Sequence, residues 1–279
     1  MSTMMSTRPR PAAGLPWGVA LALLTSLCGL PQALAQAPAA KAAKVQAPAA
    51  ASNEVSYRSG AEDVRGYLAL PPARKAARRP AVILVHEWWG QNDWVKEQAR
   101  RFAQQGYVAL SVDLYRGSVA ADADTAHQLM RGLPEDRALR DLAAAFTYLA
   151  GRKDVDAARI GAVGWCMGGG YALAEALQEP KLAAAVIYYG RLATDRDKIG
   201  KIKAALLGNF GADDKGIPAA SVTAFAEGAR AAGVRADFKI FPAAGHAFAS
   251  SKDPKVYNPA AAKEADARTD AFFAQHLRP

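Results

Sequence analysis

A single cysteine stands in "IGAVGWCMGGG", residues 160–170, straight after an apolar run and among glycines. A cysteine kept for packing behaves as a small hydrophobe inside a core. Gly164-Trp165-Cys166-Met167-Gly168 instead has the G-x-x-x-G frame of a nucleophile elbow, with sulfur where a hydroxyl is commoner. The spacing has a steric reason. A tight strand-to-helix turn strains its central residue and crowds the neighbours, so glycine is needed two positions to either side. Such a turn lifts the sulfur clear of a sheet and aims it near the next helix's N-terminus, whose partial positive charge favours a thiolate. Taken alone, the five residues also fit a buried small cysteine in a packing turn.

A nucleophile of this kind needs a base and a group that orients the base. In this arrangement the acid and then the histidine follow the nucleophile in the chain. "GADDKGIP" follows one apolar strand and "FPAAGHAF" the next, offering Asp213 or Asp214 as the acid and His246 as the base. Adjacent carboxylates are not separated by their chemistry. His127 and His276 fall in helical stretches and read as surface residues, while His86 ends a strand.

The positioning elements are legible from periodicity. "EVSYRSGAEDVRGYLALP" reads as an antiparallel hairpin around Ser59-Gly60. "AVILVH", "YVALSVDLY", "RIGAVGWC", "LAAAVIYYG", "KAALLGNFG" and "RADFKIF" read as strands, several continuously apolar as in sheets buried on both faces. Helical stripes lie between them: Val95, Ala99, Phe102 and Ala103, then Leu139, Leu142, Phe146 and Leu149, with "AAKEADARTDAFFAQHL" closing the chain. This alternation implies an α/β fold, a mainly parallel sheet with helices on both faces. Ligands then bind at the carboxyl ends of the strands, where His86, Asp113, Cys166, Gly190, Asp214 and His246 fall.

The N-terminus carries a different message. Arg8 and Arg10, the apolar "LPWGVALALLTSLCGL" and the small residues of "PQALAQA" form an export signal over residues 1–35. Residues 36–52 are an Ala/Pro-rich linker, and residues 53–279 suit one globular core. The mature protein is expected in the periplasm, without stable membrane insertion. Cys166 is then its lone cysteine, so no internal disulfide can form. The net charge of +9 is spread over connectors such as Arg74, Lys75, Arg78 and Arg79, which argues against nucleic acid. No metal or cofactor is expected, because the histidines are scattered and no phosphate loop or dinucleotide fingerprint is present. Oligomeric state leaves no signal in the sequence.

"HEWWG", "DLYRG", "GWCMGG", "YYG", "GADDKGIP" and "GHAF" occur in the order found in the dienelactone hydrolase family of the α/β-hydrolase superfamily, which the chain resembles from about Glu54 to Leu277. The resemblance implies an α/β-hydrolase fold and an ester or lactone hydrolase acting on a small molecule through an acyl-enzyme. It also implies Cys166 as nucleophile, His246 as base, Asp214 as orienting acid, and Glu87 as a carboxylate that switches the thiol. The N–H groups of Trp88 and Met167 would form the oxyanion hole, and Arg116 would meet a substrate carboxylate. Trp88, Trp89 and Tyr189, which follow strand ends, could line an apolar pocket or serve packing. The chain departs from the family at Ser250, where an arginine would grip a substrate carboxylate. Losing that charge-assisted fork points away from dienelactone as the best substrate. The same residues could instead serve a non-catalytic binding module on a hydrolase scaffold, or a thiol or peroxide redox protein with an external resolving thiol.

Overall fold

The computed structural model describes residues 52–73 and 78–278; the expected export signal and nearly all of the linker lie outside the described residues. One eight-stranded sheet runs in the order β1-β2-β4-β3-β5-β6-β7-β8. β1 (Ser52–Ser59) and β2 (Glu62–Ala69) form the expected hairpin, and β1 begins one residue before the expected domain boundary. β2 pairs antiparallel with β4 (Val108–Val112), and every later pairing is parallel. These are β3 (Arg79–Val85), β5 (Val155–Trp165), β6 (Ala184–Tyr188), β7 (Ala205–Gly211) and β8 (Ala236–Phe241).

Successive side chains of the central strands enter opposite cores, which is why these strands read as unbroken apolar runs. Ile83 and Val85 join Leu110, Ala162 and Ile187 beneath α3 (Glu135–Ala150), α4 (Met167–Gln178) and α6 (Ala219–Ala231). Val82 and Leu84 join Val163, Val186 and Leu207 against Phe102 of α1 (Asp93–Gln104) and Phe273 of α7 (Pro259–Leu277). A fully buried leucine or isoleucine of this kind stabilises the fold by about 1.5–3 kcal/mol relative to an exposed one.

Two short helices complete the chain. α2 (Ala123–Arg131) is capped by Asp122, whose side chain accepts from the N–H of Thr125, and α5 (Arg196–Ile199) precedes β7. α2 lies in the connection between β4 and α3. Among the described residues no helix is long and apolar enough to cross a membrane.

Candidate active site

β5 runs in register with β3 and β6 up to Trp165, and the chain turns there into α4. Cys166 occupies the turn at φ 56° and ψ −120°, a left-handed region costing a non-glycine residue about 1–3 kcal/mol. The turn is held by its neighbours: the N–H of Cys166 donates to the Tyr188 carbonyl at 3.0 Å, and the Cys166 carbonyl accepts from Gly169 N–H at 3.0 Å. A Cβ on Gly164 would run into the Gly168 carbonyl, and one on Gly168 would run into the ends of β3 at Val85 and His86. Both glycines of the frame are therefore required by close backbone approach.

His246 lies on the loop after β8 and brings its Nε2 to 3.1 Å from the Cys166 sulfur. Its Nδ1 lies 2.7 Å from Oδ2 of Asp214, which is buried on the loop after β7. An ionised carboxylate only accepts, so Nδ1 carries the ring proton and donates, leaving the Nε2 lone pair to face the thiol. The other Asp214 oxygen, Oδ1, accepts from the N–H groups of Gly216 at 2.9 Å and Ile217 at 3.1 Å. That bonding explains the "DKGIP" segment: its backbone clamps one carboxylate oxygen and frees the other for the imidazole. Asp213 is exposed, and its N–H donates to the Ala244 carbonyl instead.

Glu87, on the loop after β3, is fully buried, with one oxygen accepting from the Ser250 hydroxyl at 3.0 Å. Burial raises its carboxyl to about 7, against the opposing Ser250 hydrogen bond and the charge of Lys252. The Cys166 thiol is pushed up to about 12, first by burial and then by the charge of Glu87. The N–H groups of Met167 and Trp88 point at the sulfur and oppose that rise without cancelling it. Helix polarity favours a thiolate, but desolvation outweighs the two N–H groups, and the sulfur rests protonated, as the resemblance at Glu87 implies.

Other expected residues take different places. Arg116 is not free for a substrate carboxylate. Its guanidinium forms a two-point pair with fully buried Asp141 on α3, at 2.7 and 3.1 Å, and also binds Glu62 at 2.8 Å. Tyr189 does not line an open pocket either. It is fully buried, with its ring 5.3 Å from the His246 ring and 5.3 Å from that of Phe248, so it backs the imidazole. His127, expected on the surface, is partly buried on α2 with its ring edge-on to Trp88 at 4.6 Å. His276 is likewise partly buried, against Phe272. His86 is a structural residue whose Nε2 accepts from the N–H of Leu114. The contacts of Asp141, Ser250 and His127 join segments far apart in sequence, and no local motif announced them. Among the described residues no three metal-ligating side chains converge.

A mainly parallel sheet, a strained elbow at the C-terminal end of β5, and an imidazole between thiol and carboxylate define the chain as an α/β-hydrolase. Its family is narrower. The model of the dienelactone hydrolase family matches residues 64–277, and the chain belongs to that family of carboxylic ester and lactone hydrolases. A Methylorubrum extorquens protein assigned as a carboxymethylenebutenolidase is 33% identical over 211 residues, covering 71% of this chain and 72% of that protein. A Klebsiella pneumoniae protein assigned as a dienelactone hydrolase superposes with a TM-score of 0.74 at 32% identity, covering 81% and 99% of the two chains. A dienelactone hydrolase-like promiscuous phosphotriesterase from metagenomic libraries gives 0.75 at 26% identity, covering 82% and 99%.

Proposed function

We propose that the protein hydrolyses neutral, activated esters and lactones through an acyl-enzyme on Cys166, with His246 as base and Asp214 as its orienting acid. One observation carries this reading: the His246 ring bridges the sulfur at 3.1 Å and the Asp214 carboxylate at 2.7 Å. Because the thiol rests protonated, attack is coupled to proton loss. The S–H proton passes to Nε2 as sulfur bonds to the carbonyl carbon. The carbonyl oxygen takes the negative charge and is met by the N–H groups of Met167 and Trp88. When the C–O bond breaks, the leaving oxygen takes the proton from Nε2 and a thioester remains. Water then attacks the thioester and gives its proton to Nε2, and the departing sulfur recovers it with release of the acid.

Burial, with the charge of Glu87 added to it, keeps the sulfur protonated between turnovers, which protects a thiol from oxidation. Substrates without a carboxylate fit best, because Arg116 is engaged by Asp141 and Glu62 and Ser250 stands where the family has an arginine. The basic, apolar and small-residue succession of residues 8–37 supports export to the periplasm.

The test is turnover of p-nitrophenyl acetate and simple lactones by the parent and by Cys166→Ala. The variant is expected to lose activity by about 10³-fold or more, as triad deletions do. The parent should gain one acyl mass in a rapid quench. Retained turnover in Cys166→Ala would end the proposal.

A further inference from the structure

A cleft of about 620 Å³ opens beside the elbow, and its lining includes Met167. Its floor is one face of α4: Met167, Gly170, Tyr171, Ala174 and Leu177 all line it. Those positions follow the three- and four-residue spacing of a helical stripe. From Met167 to Leu177 the stripe extends about 15 Å at the helical rise of ~1.5 Å per residue. Leu133 and Leu192, from outside α4, also line the cleft. Met167 is anchored where the cleft meets the elbow, its sulfur accepting from the Tyr115 hydroxyl at 3.3 Å.

Resting on the acyl-enzyme reading above, we infer that this cleft receives the acyl portion of the substrate, and that its fitting occupant is an unbranched, neutral apolar chain.

The assignment to the acyl side follows from proton transfer. The leaving oxygen must face His246 Nε2, which supplies its proton, so the alcohol portion lies toward the imidazole. The cleft begins at Met167, whose N–H faces the sulfur that bonds the acyl carbon, and its lining does not include His246. A group in the cleft therefore remains attached to the acyl carbon after the alcohol has left. Length argues for a straight chain, since the floor runs along one face of one helix. The charges of the lining argue for a neutral one. Arg191 and Glu135 carry opposite charges, and the Lys198 ammonium lies 3.7 Å from Asp195. No surplus of positive charge waits for a carboxylate.

The experiment measures kcat/KM of the purified enzyme for p-nitrophenyl esters of straight-chain acids from acetate to decanoate. Each added methylene should raise kcat/KM by about two- to fourfold until the cleft is full, the upper value corresponding to about 0.8 kcal/mol per buried methylene. Ala174→Trp, which fills the middle of the stripe, should flatten the rise beyond the shortest chains. Leu192→Asn, at a position that lines the cleft from outside α4, makes the same test if the tryptophan variant does not fold. No turnover of any ester by the parent would overturn the hydrolytic reading and this inference with it. Turnover of acetate with a flat chain-length profile would overturn this inference alone, as would a rise unchanged in both variants.

Discussion

Glu87→Gln isolates what the buried carboxylate costs the fold and does to the thiol. Glutamine keeps the size and leaves an oxygen to accept from Ser250, while removing the charge. The Glu87 carboxyl is raised from 4.5 to about 7, chiefly by desolvation. A raised carboxyl means that the folded state holds its proton more tightly than the unfolded chain. Stability therefore falls as pH rises from 4.5 to 7, because the unfolded state ionises first. Below 4.5 both states are protonated, and above 7 both are ionised, so the penalty reaches a plateau. A difference of about 2.5 pH units, at ~1.36 kcal/mol per unit, gives about 3 kcal/mol. The assay is urea unfolding of parent and variant at pH 4.5, 6 and 8. The stability difference between them should grow by about 3 kcal/mol in favour of the variant across that range. The pH profile of Cys166 alkylation should also move to lower pH in the variant, because the charge of Glu87 is the second cause holding the thiol high. A stability difference independent of pH would refute the reasoning.

Asp214→Asn should lower kcat by about 10³- to 10⁴-fold, the scale seen when a triad acid loses its charge and the histidine its required tautomer. Asp213→Asn, at an exposed neighbour, should stay within about twofold, so steady-state kinetics on one aryl ester separates the two. Arg116→Leu should destabilise the protein by about 3 kcal/mol, because it strands the fully buried Asp141 carboxylate. Thermal unfolding should register that loss while KM for a neutral ester holds. A raised KM at unchanged stability would return Arg116 to substrate binding.

The succession of strands and long helices along the chain, the hairpin, the elbow and the pair of post-strand loops were all legible in the sequence, because each rests on local physics; the order of strands in the sheet was not. Alternation, helical spacing and the glycines of a crowded turn operate within a few residues. That is why Cys166 and His246 could be singled out from their surroundings, whereas Asp214 was preferred to Asp213 only through the resemblance of "DKGIP" to the family. The partners of the side chains were another matter. Arg116 looks like a substrate contact until α3 brings Asp141 beneath it, 25 positions along the chain. Ser250 reads as a lost arginine until it is seen to hold Glu87, 163 positions away. His127 reads as surface until α2 lays it against Trp88. The state of the thiol likewise depends on burial, which belongs to no single segment: a local helix N-terminus predicts a thiolate, but desolvation by the assembled fold reverses it. Sequence alone determined which groups could do the chemistry. The tertiary structure decided which are free to do it, because charge pairing and exclusion of water are properties of neighbours that only folding brings together.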